Sequence, residues 1–85
     1  MAEDKSEIMQ QFTSKFIEMA NEMANSGESK ENVSGALMSA SAFYATFVAV
    51  GNEGGLTASG VDKVTEKYKD VLDRVQDYKR DQAGQ

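Results

Sequence analysis

Eighty-five residues with no cysteine and no histidine allow one small domain, without disulfides, thiolate zinc sites or histidine-dependent catalysis. Fourteen acidic against nine basic side chains give a net charge of −5, with the basic residues scattered among acids. Such a surface repels phosphate backbones, argues against nucleic-acid binding by charge neutralisation, and favours solubility.

The chain opens Met1-Ala2-Glu3-Asp4-Lys5, acidic where a signal peptide is basic, and no apolar stretch follows. A cytoplasmic location is the expectation, and the sequon-like Asn32-Val33-Ser34 is then a chance match. The first helix is expected from about Glu7 to Asn25, with Ser6 as N-cap and Glu7 at its positive end. Ile8, Met9, Phe12, Phe16, Met19, Ala20 and Met23 fall within one arc of roughly 120° at helical periodicity, whereas Ile17 lies off it. Asn25-Ser26-Gly27 supplies a left-handed stop.

The second helix is expected from about Lys30 to Val50, capped by Ser29, with Glu31 in its first turn and Gly51-Asn52 ending it. Val33, Leu37, Phe43, Tyr44, Phe47 and Val48 share a broad face, and small residues make up the opposite one. A helix apolar on nearly all sides is a buried one, so it is placed at the centre, with Phe47 in the core. Residues 32–52 carry no charge, which raises a transmembrane reading. Ser34, Gly35, Ser39, Ser41 and Thr46 dilute the hydrophobicity, and acids flank the segment as readily as Lys30, so no membrane is expected.

The third helix is expected from about Gly60 to Arg80, capped by Ser59. Val61, Val64, Tyr68, Val71, Leu72, Val75 and Tyr78 form its apolar stripe. Asp70 and Arg74 make an i,i+4 pair, and Lys79 with Arg80 suits the negative end. The termini, about 1–5 and 81–85, are expected to fray. The fold class is therefore all-α: a single domain of three long antiparallel helices in an up-down bundle, which homodimerisation could complete.

No catalytic motif stands out. The connector 51–60 offers Gly54, Gly55, Thr57, Ser59 and Gly60 as a weak anion loop at a helix N-terminus. Val61-Asp62 stands where a P-loop needs lysine, no strand precedes it, and it has one carboxylate where an EF-hand needs several. A flexible connector is the plainer reading. Glu66 and Asp70 could share a cleft, but they sit on a polar face intermixed with lysines, which is the pattern of a solvated surface. An inward Glu-x-x-His for a di-metal carboxylate site is impossible without histidine. No metal and no cofactor are expected.

Met9, Met19, Met23 and Met38 can fill a core or form an adaptable binding surface. Gly35, Ser39, Ala42, Thr46 and Ala49 recur at spacings of four, three, four and three, a heptad seam of small residues on the second helix. Small residues permit close backbone approach, either to the flanking helices or to a second copy about a two-fold axis.

Phe16-Ile17-Glu18-Met19-Ala20-Asn21-Glu22, then the run from Val33 to Phe43 with Phe47-Val48-Ala49, and late Glu66-Lys67-Tyr68-Lys69 with Asp77-Tyr78, resemble a known pattern. It is that of a family of short proteobacterial proteins known as domain of unknown function thirty-one forty-four, over roughly residues 12–80. The resemblance implies a bacterial origin and supplies no activity, cofactor or site. The glycine-rich second connector departs from that pattern. The first expectation is a non-enzymatic interaction or regulatory protein whose partner is another protein or a second copy. The alternative is a small-ligand or anion-binding module using 51–60.

Overall fold

The computed structural model describes residues 4–84, and among them the architecture is all-α, with three helices and no strand. These are α1 (Lys5–Asn25), α2 (Lys30–Val50) and α3 (Ala58–Gln82). Residues 1–3 and 85, where part of the expected fraying falls, lie outside the described residues. Lys5 is already helical, and α3 runs two residues beyond the expected end before capping at Ala83.

The chain divides into two compact units, Met1–Ala42 and Phe43–Gln85, and the division falls within α2 rather than at a linker. In the first unit, α1 begins half a turn earlier than the Ser6 cap implies. Asp4 is the N-cap: its carboxylate accepts from the Ser6 amide at 3.2 Å, and its carbonyl accepts from the amides of Glu7 and Ile8. A carboxylate there both satisfies an unpaired amide and opposes the positive end of the helix dipole. The helix ends as expected. Ser26 donates its hydroxyl to the Met23 carbonyl at 2.7 Å, and Gly27 follows at φ +110°, a conformation that a side chain would strain. Ser29 then caps α2 by accepting from the Asn32 amide at 3.1 Å.

In the second unit, Gly51 (φ +80°) closes α2 with its amide on the Phe47 carbonyl at 2.7 Å. The cap of α3 is Thr57, not Ser59. Thr57 is extended, and its hydroxyl accepts from the Gly60 amide at 3.2 Å, so Ala58, Ser59 and Gly60 become the first turn. Leu56 and Val61 occupy the two positions of a hydrophobic staple around that cap. Half-buried Leu56 lies 3.4 Å from where a Gly60 Cβ would stand, close enough that the glycine lets the connector pass near the helix. The expected Asp70–Arg74 pair is replaced by Lys69–Asp73 at 2.9 Å and Asp77–Arg80 at 3.3 Å. Both are exposed and cost little to rearrange, so side-chain rotamers decide among these neighbours.

Burial departs most from expectation. Among the described residues Val33 alone is buried, at 8% exposure, with Ile8, Ala20, Ala24, Ala45, Thr46, Leu56 and Gly60 half-buried. The expectation of a buried α2 is corrected: Phe47 is 47% exposed and Phe43 79%. Ile17, the off-stripe residue, is no more open than the stripe residues beside it.

Candidate interaction surface

Helices α1 and α3 each carry an apolar stripe in a repeat of threes and fours, the spacing that keeps side chains on one side of a helix. On α1 the repeat is Met9, Phe12, Phe16, Met19 and Met23. On α3 it is Val61, Val64, Tyr68, Val71, Val75 and Tyr78. Every one of these side chains is exposed. All four methionines singled out by the sequence, Met38 included, are exposed as well, so they form surface rather than fill a core.

The second half of α2 holds the most open apolar side chains, Phe43 and Val48 at 75% or more. Tyr44 and Phe47 meet edge to face, with centroids 5.8 Å apart and planes at 67°, which holds the two rings together on that surface. On α1, the Lys15 ammonium stands 5.8 Å from the centre of the Phe12 ring. By length and composition α2 could cross a membrane: the mean hydropathy of its apolar window is 1.6, and Val33 is the one buried residue in it.

The small-residue seam divides between the two units. Gly35, Ser39 and Ala42 belong to the first and are exposed; a Cβ added at Gly35 would meet nothing within 4 Å. Thr46, half-buried, and Ala49, exposed, belong to the second.

Of the anion-loop residues, Thr57, Ser59 and Gly60 come together at the start of α3, whereas a Cβ added at Gly54 or Gly55 would meet nothing within 4 Å. Gly54 takes φ +91°, while Thr57 and Gly60 are engaged with each other in the cap. The Ser59 hydroxyl lies 3.2 Å from that of Thr57. Capping therefore already uses one amide and one hydroxyl that an anion would need. Glu66 and Asp70 both lie exposed on α3. Among the described residues no group of three or more acidic side chains is placed to hold a metal ion. Lys69 is held above the ordinary lysine value of 10.5 by its hydrogen bond to Asp73 and that carboxylate's charge, with Asp70 adding to it.

Pattern reading misses a shallow, open hollow of about 220 Å³ where α1 turns into α2, lined by Met23, Ser26, Glu28, Asn32, Val33 and Ala36. No periodicity signals it, because it arises where two helix ends meet.

The family described as "Protein of unknown function (DUF3144)" matches residues 9–79, more than four fifths of the chain. No curated protein and no solved structure matches.

Proposed function

This chain belongs to the DUF3144 family of proteins of unknown function, and we propose that it is a non-catalytic bacterial interaction module whose exposed helix stripes are taken up by protein. The observation that carries the reading is the exposure of the apolar stripes on all three helices, with Val33 the one buried residue among those described. Patches of exposed apolar surface this extensive mark interaction sites, because leaving them in water forgoes most of the free energy that orders a chain. A chain without histidine or cysteine has few groups for proton transfer or nucleophilic attack, which supports a non-enzymatic role. The acidic balance supports a protein partner over nucleic acid, and the cytoplasm as its place of work.

A protein partner suits these faces better than lipid. On α2 the hydroxyls of Ser34, Ser39, Ser41 and Thr46 and the bare backbone of Gly35 interrupt the apolar surface, which makes it a poor match for hydrocarbon. The test is recovery of the tagged full chain from its own cells. A protein at stoichiometric level, another copy of the chain included, is the expected result. Recovery with a tightly held metabolite and no protein would overturn the reading in favour of a ligand-binding module. Recovery chiefly in washed membranes would overturn it in favour of lipid.

A further inference from the structure

Resting on that reading, we infer that the stripe of α1 is the seam of an antiparallel homodimer, paired with α1 of a second copy. Four observations within the first unit carry this. Met9, Phe12, Phe16, Met19 and Met23 form a continuous heptad seam, exposed throughout. The half-buried residues of α1 border that seam, Ile8 along one edge and Ala20 with Ala24 along the other, so at 100° per residue the burial they report flanks the five seam side chains and leaves them exposed. Lys15 and Glu22, two turns apart on the same flank of the seam, are exposed, and neither is in an ion pair among the described residues. Finally, Phe12 and Phe16 are 54% and 60% exposed, which at roughly 200 Å² per ring leaves about 230 Å² of aromatic surface in water. The three methionines extend that area towards the roughly 800 Å² each partner gives a standard interface, so a weak, micromolar dimer fits the surface.

The charges select the partner and its direction. Run antiparallel, Phe16 faces Met19 of the second copy and Phe12 faces its Met23, a pairing of rings with polarisable thioethers. Flanking residues of the same type then meet across the two-fold axis, which sets Lys15 against Glu22 of the second copy, twice. Run parallel, Lys15 would face only an alanine, Ala20. The α3 stripe does not suit its own copy in this way. Lys67 and Arg74 lie on its corresponding flank, so an antiparallel self-pair would oppose two cations.

Sedimentation equilibrium of the full chain tests this, with Lys15→Glu, Glu22→Lys and the double variant, helicity being checked for each. The parent should show a monomer–dimer equilibrium. Each single variant should weaken it about 10-fold by setting like charges together twice, and the double should return to within about 3-fold of the parent. The singles move the net charge of −5 in opposite directions, to −7 and −3, so a general charge effect would weaken one and strengthen the other. That opposite response overturns the proposal. So does a dimer indifferent to all three variants, or a parent that stays monomeric at about 1 mM. A monomeric parent that nevertheless recovers a different protein from its cells would discard the self-pairing and leave the interaction reading standing.

Discussion

The Thr57 hydroxyl accepts the Gly60 amide at 3.2 Å, and this bond, rather than one from Ser59, starts the longest helix of the chain. Thr57→Ala should therefore cost about 1 kcal/mol in urea unfolding, the usual loss for an N-cap oxygen. Ser59→Ala, one residue into the first turn, should stay within about 0.5 kcal/mol. The reverse order would show that α3 starts at Gly60 in solution.

Val33 is the buried apolar residue of the described chain, so its truncation should be felt most among the valines. Val33→Ala should cost about 2 kcal/mol, roughly 0.8 for each methylene equivalent plus a cavity contribution. Phe47→Ala should cost clearly less than the roughly 3–5 kcal/mol of a fully buried ring, because nearly half of Phe47 is in water. Both need measuring at several protein concentrations. A Phe47 effect that grows with concentration would place its ring against another copy.

Gly35 sits inside α2 with nothing within 4 Å of the place a Cβ would take. Gly35→Ala should then stabilise the protein by about 0.5–1 kcal/mol, through helix propensity and a less flexible unfolded chain. Destabilisation would mean that a neighbour approaches this face closely, as the small-residue seam requires of a helix packed there.

Lys69 has a raised pKa through its hydrogen bond and charge interaction with Asp73, so it binds its proton more tightly folded than unfolded. Its contribution is complete below the ordinary value of 10.5 and disappears as pH rises through the folded value. The melting temperature of Lys69→Met should therefore sit slightly below that of the parent at neutral pH, and the gap should close as pH rises through the raised folded value. A gap that persists beyond it would assign the effect to the aliphatic stem. With no histidine, the chain has no imidazole titration to alter stability between pH 6 and 8.

The number of helices, the span of α2 and the end of α1 follow from the sequence alone. Ser29 and Gly51 bracket a helical stretch that is uncharged from Asn32 onward, and Gly27 takes the left-handed turn that a side chain resists. These are local effects, decided within one turn by hydrogen bonding and sterics, so neighbouring residues suffice to read them. At two helix starts the cap expected from sequence, Ser6 or Ser59, lies two residues inside the helix, because Asp4 and Thr57 are extended and their side-chain oxygens accept the first free amides instead. The Lys69–Asp73 pair displaced Asp70–Arg74 in the same way, because several exposed pairings on α3 lie within a fraction of a kcal/mol of each other. What lies against each apolar stripe was not legible. Periodicity says which side of a helix is apolar, but burial depends on whether another surface arrives there, and that is a property of the assembled fold. Only the tertiary structure showed that Val33 is covered while Phe43, Phe47 and the methionine–phenylalanine seam of α1 remain open.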